Sequence, residues 1–410
     1  MSLEDTNQNF WQLASIQGAA LGLPVIVMGE ILTRSYGAGT ALISVALGNL
    51  ILWVIGLAMI SMTYSSRSHA IQNIKVHLGR IPSWFGIIVL VLAFLTWFSF
   101  QLKGMTTAYD SLMIYYPYWN SEWSLKVGAF SGCIISLLAI GGIRLIRWVC
   151  VGLFPLLFLY TLYALFTSVG PSPIFAGTWG LSLPAIVLAT SVTLPGMINI
   201  PTFFRHARSK QDAFLGLTLM VLFTIGFQSS SIYLRFLDIS QLVPIYSDTS
   251  GSTFSLTLVI AFIALSTLCI NLVNIYFASA ALEMLHSKTD IDSKTYTLLG
   301  LAGTLLYGIV QIGYIMQFVE DLTTCYISIL GITLLQAYLT EIIVKHRART
   351  NEKIVNSLCF FVGCIASTFV LVDYDITKAT MAGVGASLFA FILIMFCEET
   401  YWSFIKLRSQ

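Results

Sequence analysis

The feature that most constrains this chain is the recurrence of long apolar stretches from one end to the other. A helix needs ~20 mainly apolar residues to cross the hydrocarbon core of a bilayer. Stretches of that length cover residues 9–33, 38–62, 83–105, 124–142, 147–168, 180–203, 211–236, 252–284, 295–315, 321–344, 354–372 and 377–398, which we number as spans 1 to 12. The sequence therefore predicts an all-α integral membrane protein with about twelve transmembrane helices.

The composition supports this class and argues against others. Apolar residues make up 57% of the chain and charged residues only 10%, whereas soluble domains have ~45–50% and ~25%. The 21 Lys and Arg nearly balance the 19 Asp and Glu, which argues against a nucleic-acid partner. The connections are too short for a soluble catalytic or ATP-binding domain. We therefore expect one transmembrane domain over residues 1–410, driven by an ion gradient if it uses energy.

The distribution of Lys and Arg predicts the orientation, because cytoplasmic loops are enriched in these residues. If the spans alternate as numbered, only five of the 21 lie opposite the amino terminus: Arg34, Lys103, Lys126, Arg235 and Lys378. Both termini are therefore expected in the cytoplasm, with the protein in a plasma membrane, here taken as a bacterial inner membrane. The segment 67–79 is predicted to form a short interfacial helix.

Spans 1 and 6 share a pattern that weakens a helix. Each carries Leu-Pro in mid-span beside glycine, at Leu23-Pro24 and at Leu194-Pro195. Proline removes a backbone hydrogen bond and glycine adds flexibility, so both spans are predicted to be interrupted, near Gly22–Gly29 and Thr193–Gly196. An ordinary proline kink is the alternative at either place.

The two predicted breaks are five spans apart, which favours an internal repeat. A repeat of five spans would be inserted the second time in the opposite orientation, as in many secondary transporters. We expect a five-plus-five inverted repeat with one half at about 9–168, the other at about 180–344, and two further helices at about 354–398. In such proteins the substrate site lies at the discontinuous helices.

Several segments resemble the nucleobase–cation symporter family, which includes cytosine permease and hydantoin transporters. They are LGLPVIVMGEILTRSYGAG and ALGNLILWVIGL in spans 1 and 2, Trp97-Phe98 in span 3, LPGMINIPTFFRHARSKQDAFLG at span 6 and NLVNIYFAS in span 8. The sequence departs from the family pattern at Phe94, Thr202 and Ile270, where polar, acidic and hydroxyl side chains would be expected. The resemblance implies the fold of the amino acid–polyamine–cation clan, with spans 1, 3, 6 and 8 around the substrate.

Individual residues point to the same spans. Glu30 is an acidic side chain deep within a span, which marks a functional site or, alternatively, a pair with Arg34 one turn later. Trp97 offers a flat face for stacking a ring, or it simply packs between helices. We expect the substrate to contact Ile26, Gly29, Glu30, Trp97, Gln101, Thr193, Gly196 and Asn274.

Span 8 suggests a cation site. Thr267, Asn271 and Asn274 recur at helical spacing, so they share one face, and neutral oxygen ligands suit a hard cation such as sodium. The resemblance implies that backbone carbonyls of Gly22 and Ile26 would complete this site with Thr267 and Asn271. Hydrogen bonding between helices is the alternative for this polar face, and proton coupling through Glu30 is the alternative for the ion.

The sequence lacks the usual enzyme motifs, including G-x-S-x-G, H-E-x-x-H and phosphate-binding glycine loops, so we expect a protein that is not an enzyme. The predicted function is ion-coupled import of a small planar heterocycle such as a nucleobase, a hydantoin or a vitamin precursor, with sodium as the candidate bound ion. Two alternatives are a transporter of amino acids or small amines with the same fold, and a membrane sensor that binds a ligand without transporting it.

Overall fold

A computed structural model describes residues 7–64, 70–112, 119–167, 179–191, 193–234, 253–282, 293–310, 314–343, 352–373 and 375–408. These residues are almost entirely helical and contain no β-strand. In chain order the helices are α1 (Phe10–Tyr36), α2 (Ala38–Tyr64), α3 (Ala70–His77), α4 (Arg80–Leu112), α5 (Ser121–Leu138), α6 (Gly142–Thr167), α7 (Leu183–Ser191), α8 (Leu194–Ile198), α9 (Ile200–Phe204), α10 (Lys210–Leu234), α11 (Thr253–Leu282), α12 (Ser293–Val310), α13 (Tyr314–Ile343), α14 (Glu352–Asp373) and α15 (Ile376–Arg408).

The chain is an integral membrane protein. Its described residues contain eight helical segments long and apolar enough to cross a membrane: Ala38–Tyr64, Arg80–Asp110, Glu122–Tyr163, Lys210–Ile232, Thr257–Leu282, Ile315–Ile342, Glu352–Val372 and Ile376–Phe396. Every predicted span coincides with a helix or, for span 6, with the three short helices α7 to α9. The exact number of crossings and the inverted repeat stay predictions. The predicted interfacial helix corresponds to α3, and residues 67–69 lie outside the described residues.

The predicted interruption of span 1 is wrong. α1 continues as one helix of 27 residues through the whole Gly22–Gly29 stretch. Pro24 lacks an N–H and therefore removes one bond of the helical ladder, the one to the carbonyl of Ala20, while the remaining bonds persist. α1 is also packed against α6, α10 and α11, and neighbouring helices keep a proline-containing segment helical in a membrane. Pro155 is accommodated inside α6 in the same way.

Span 6 is interrupted, as predicted. α7 ends at Ser191, Thr193 is a turn residue, and the short helices α8 and α9 follow, separated by Asn199. Pro195 and Pro201 each lie in the first turn of a short helix, where the missing N–H costs no helical bond. The Asn199 side chain donates to the carbonyl of Pro195 at 3.2 Å. Two prolines six residues apart thus divide this span where one proline in α1 does not.

The helices form two groups that meet along α1 and α11. In the first group α10 packs extensively on α1 and α2, and α2 also contacts α7, α8 and α9. In the second group α4 packs on α11, α12 and α13. The contact between α1 and α11 joins the two groups, so a site between them is bordered by both.

Helices α14 and α15 pack together through a close approach of their backbones. A Cβ atom added at Gly363 would lie 2.8 Å from the carbonyl oxygen of Gly383 and 2.7 Å from Ile329 Cγ2. Such close approach is typical of small residues between membrane helices.

We expect Gly363→Ala to lower the free energy of unfolding by ~1–3 kcal/mol, because the backbone atom it meets cannot rotate away. Gly385→Ala is the matched control on α15, since a Cβ there meets nothing within 4 Å. Unfolding of the purified protein by titrated denaturing detergent compares the two variants. An equal decrease in the free energy of unfolding for Gly363→Ala and Gly385→Ala would contradict the close approach.

The short helix α3 is held against α13 and α14 by polar contacts. Asn356 Nδ2 donates to the carbonyl of His77 at 3.1 Å, and Ser357 Oγ donates to the carbonyl of Leu78. The His77 ring lies 3.9 Å from the Glu341 carboxylate. Burial lowers the pKa of His77 below its ordinary value of 6.5; Glu341 opposes this effect and Lys353 adds to it.

A lowered pKa in the folded protein makes acid destabilising. The unfolded chain binds the proton more readily, so the contribution of His77 is complete above about pH 6.5 and is lost as the pH falls below that value. We expect the melting temperature of wild type to fall more steeply than that of His77→Gln between about pH 7.5 and about pH 5.5. If the melting temperatures of wild type and His77→Gln change equally with pH across that range, His77 does not contribute to the pH dependence of stability.

Candidate functional site

A cavity of about 80 Å³ lies between the two helix groups, beside the interruption between α7 and α8. A single buried water needs only ~10–15 Å³, so the cavity has room for a small molecule. Its walls come from α1, α2, α4, α8, α10 and α11, with lining residues Gln17, Ala20, Leu21, Val25, Asn49, Leu52, Phe94, Trp97, Thr193, Gly196, Met197, Met220, Thr224, Ile270, Val273, Asn274 and Phe277.

Half of the predicted substrate residues line this cavity. Trp97, Thr193, Gly196 and Asn274 are all in its walls, although they come from three different predicted spans. The structure thus places spans 3, 6 and 8 around one space.

The other predicted substrate residues lie elsewhere or are not described. Gln101 follows Trp97 by one turn of α4 and is not among the lining residues. Gly29 faces α10, where a Cβ atom would lie 2.6 Å from the carbonyl oxygen of Gln228. Ile26 and Glu30 lie in α1, and their side chains are outside the described residues.

The aromatic wall is formed by α4 and α11. Phe94 and Phe277 face each other with ring centroids 4.9 Å apart, and Trp97 lies one turn further along α4. The indole Nε1 of Trp97 is buried and has no hydrogen-bond partner among the described residues. Phe94 therefore places on the cavity wall a ring that packs on α11.

The polar face of α11 is buried beside this wall. Thr267, Asn271 and Asn274 are 0%, 0% and 4% exposed. Asn274 Nδ2 donates to Asn271 Oδ1 at 3.2 Å, whereas Thr267 Oγ1 and Asn271 Nδ2 have no partner among the described residues. Most helical threonines described here donate to a carbonyl one turn earlier, as Thr333 does at 2.8 Å. Thr267 thus holds a buried hydroxyl oxygen that the helix does not use.

The backbone half of the predicted cation site has a different geometry from the one expected. Gly22 and Ile26 lie in the continuous helix α1, where a carbonyl oxygen accepts from the amide four residues later and keeps one further lone pair. The missing N–H of Pro24 leaves the carbonyl of Ala20 without its usual donor, and Ala20 lines the cavity. α1 and α11 are in contact, so carbonyls of α1 and the polar face of α11 belong to neighbouring helices.

Next to Phe277, which lines the cavity, α9 and α11 are in contact. Phe203 packs on Tyr276 and on Phe277, with ring centroids 4.6 and 5.2 Å apart. His206 Nε2 lies 3.3 Å from the Tyr276 hydroxyl. These contacts link a residue of the cavity wall, Phe277, through Phe203 and Tyr276 to His206 in the connection between α9 and α10.

The amino-terminal segment is joined to that same connection. The backbone N–H of Gln8 donates to the carbonyl of His206, and the N–H of Arg208 donates to the carbonyl of Gln8, both at 2.8 Å. The N–H of Phe10 donates to Asp212 Oδ1 at 3.1 Å. The start of α1 and the start of α10 are therefore held together by backbone and side-chain bonds.

Sequence reasoning missed several cavity residues, chiefly Gln17, Asn49 and Thr224. Gln17 and Asn49 are neutral polar side chains inside predicted spans, a signal that a search extended from acidic to all polar side chains would have found. Among the described residues, no group of three or more His, Cys, Asp or Glu is arranged to hold a metal.

Comparison with solved structures identifies the fold. The chain is similar to Mhp1, a nucleobase-cation-symport-1 family transporter, in a closed conformation with bromovinylhydantoin bound: the TM-score is 0.68, the identity 15%, and the match covers 97% of this chain and 94% of the other. The inward-facing conformation of Mhp1 gives 0.65 and 14%, with 95% and 91% covered. The substrate-bound, outward-open state of a Na⁺-coupled sialic acid symporter gives 0.69 and 14%, with 94% and 89% covered.

No family model and no curated protein sequence matches the chain. Identities of 14% and 15% over nearly the whole chain establish a shared fold. The predicted fold class, an all-α integral membrane protein, is confirmed. The structures that share it include closed, inward-facing and outward-open states.

Proposed function

We propose that this protein is an ion-coupled symporter that imports a small, neutral, planar heterocycle such as a nucleobase, a hydantoin or a vitamin precursor. The observation that carries the proposal is the cavity at the interruption of span 6, which is bounded by the Trp97 indole and lined by amide side chains. Mhp1, which has the same fold, binds a hydantoin in its closed conformation.

The chemistry of the walls favours a neutral ligand. None of the described residues that line the cavity is charged. An amino acid carries a carboxylate and an ammonium group, and burying these without charged or closely bonded partners is costly. A flat neutral ring instead fits an apolar space that has a tryptophan face and a few polar atoms at its edges.

The proposed coupling ion is sodium, bound between α1 and α11. Thr267 and Asn271 supply side-chain oxygens, and Gly22 and Ile26 supply backbone oxygens. The buried, unused hydroxyl of Thr267 supports this assignment, because a buried polar atom without a partner is uncommon and requires an explanation. The sialic acid symporter with this fold is Na⁺-coupled. Proton coupling through Glu30 is the rival.

A ligand screen tests the substrate class. Purified protein is heated with nucleobases, hydantoins, vitamin precursors or amino acids, each with and without sodium. A ligand at a hundred times its Kd stabilises the native state by ~2.7 kcal/mol, which raises the melting temperature measurably. We expect stabilisation by a planar heterocycle that increases with sodium. Stabilisation by amino acids and by no heterocycle would show that the substrates are amino acids rather than planar heterocycles.

Uptake into proteoliposomes tests transport itself. The heterocycle that stabilises the protein should accumulate when an inward sodium gradient is imposed and should not accumulate in empty liposomes. Binding without uptake under sodium and proton gradients would identify a sensor. Labelling of single cysteines at residues 294 and 378 from either side of the membrane tests the proposed orientation, in which residue 294 is cytoplasmic.

A further inference from the structure

Three buried amide side chains lie in or next to the cavity wall. Gln17 on α1, Asn49 on α2 and Gln228 on α10 are 7%, 1% and 0% exposed. Gln17 and Asn49 line the cavity, and Gln228 lies behind Asn49. This amide cluster has no part in stacking or in the proposed cation site.

The orientation of the Asn49 amide is fixed by its donors. Asn49 Nδ2 donates to the carbonyl of Val45 at 2.8 Å and to Gln228 Oε1 at 2.7 Å. An amide nitrogen has two hydrogens, so both are used. Asn49 Oδ1 is buried and has no partner among the described residues. Asn49, a residue of the cavity wall, therefore holds an unpaired hydrogen-bond acceptor, and Gln228, whose own Nε2 also has no partner among the described residues, positions its amide.

Gln17 offers the complementary group. Its Nε2 is buried, lies on a side chain of the cavity wall, and has no partner among the described residues. Buried polar atoms are almost always hydrogen-bonded, so an unpaired donor and an unpaired acceptor on two residues of one cavity wall indicate groups that a ligand completes.

We propose that Asn49 and Gln17 select the substrate by recognising a neighbouring N–H and C=O pair on its ring: Asn49 Oδ1 accepts from the N–H, and Gln17 Nε2 donates to the carbonyl. This pair is the edge of a lactam, imide or ureide. The inference rests on the proposed function and narrows its range of substrates. An aromatic ring without such an edge would leave both amides unpaired and would therefore bind poorly.

The test uses N-methylation of a probe to remove the N–H. The probe is whichever of uracil, cytosine and hydantoin binds the full-length wild type most tightly in calorimetry, together with each of its mono-N-methyl derivatives. We expect wild type to bind at least one derivative on the order of tenfold more weakly than the parent. Asn49→Leu should bind the parent on the order of tenfold more weakly than wild type does and bind that derivative equally to the parent.

Further variants separate recognition from packing. Gln228→Leu should reduce the discrimination between parent and derivative, because it releases the Asn49 amide. Gln17→Leu should weaken parent and derivative alike and keep their ratio. Gln336→Leu is the matched control: Gln336 is also a buried amide, with both amide atoms lacking a partner among the described residues, but it does not line the cavity. Its affinities should equal those of wild type.

Equal affinity of wild type for the parent and for all its derivatives would overturn the inference, as would full discrimination in Asn49→Leu. If Asn49→Leu does not fold, the inference is tested by the ratio of the two affinities in wild type, for the parent and for its derivative, and by the affinities of Gln17→Leu. Tight binding without discrimination refutes only the role of the amide cluster. Absence of binding by all three probes overturns the inference, and absence of binding by every heterocycle of the ligand screen refutes the proposed function as well.

Discussion

Thr267→Val abolishes sodium-stimulated uptake, whereas Thr267→Ser retains it, if sodium binds between α1 and α11. Valine has the shape of threonine but lacks the hydroxyl oxygen that is buried and unused at this position. Serine keeps that oxygen. Uptake of the stabilising heterocycle into proteoliposomes, measured with sodium and with choline outside, gives the stimulation directly. We expect a ratio near one for the valine variant and a ratio close to that of wild type for the serine variant.

Asn271→Ala is expected to lose the sodium stimulation too, but it is the less specific variant. Asn271 Oδ1 accepts from Asn274 Nδ2, and Asn274 lines the cavity, so alanine also disturbs a proposed substrate residue. By thermodynamic reciprocity, sodium must raise substrate affinity by the same factor as substrate raises sodium affinity. Uptake that ignores sodium, follows a pH gradient and disappears in Glu30→Gln would assign coupling to Glu30.

Trp97→Ala weakens substrate binding by roughly ten- to a hundredfold. Stacking of a base on an aromatic side chain contributes ~1–3 kcal/mol, which corresponds to that range. Trp97→Phe keeps a flat ring without the indole N–H and should lose much less. Calorimetric titration of the heterocycle gives both affinities.

A control for the tryptophan is available on the same helix. Trp84 lies at the start of α4 and is 49% exposed, away from the cavity. Trp84→Ala should bind the heterocycle as wild type does. If Trp97→Ala binds the heterocycle with unchanged affinity, Trp97 only packs between helices.

The helical architecture was predictable because the bilayer imposes a length and a composition on each span. The predicted bounds agree with the helices to within a few residues at most ends, and span 6 is broken where Leu194-Pro195 lies in the sequence. The same dipeptide in span 1 gave a wrong prediction. One missing N–H is a small local cost, and whether it opens a helix depends on neighbouring helices that the local sequence does not specify.

The cavity was predictable only in part for a related reason. Trp97 and Asn274 were indicated by the family resemblance, and both line the cavity. Gln17 and Asn49 lie in spans whose hydropathy is otherwise unremarkable, and their shared position depends on how α1 and α2 rotate about their axes. The rotation of a helix about its axis is hard to predict from one sequence when most of its faces are apolar.

The pairing of Gln8 with the α9–α10 connection has a mechanical consequence. Phe203 and Tyr276 can separate by a movement of α9, and α9 is connected through residues 206 and 208 to Gln8, which precedes α1. In such a movement the first turn of α1 would move together with α9 as one rigid unit. If the protein transports as proposed, spin labels at residues 10 and 210 should keep a constant mutual distance as it changes conformation, while both change their distance to a label at residue 298 on α12.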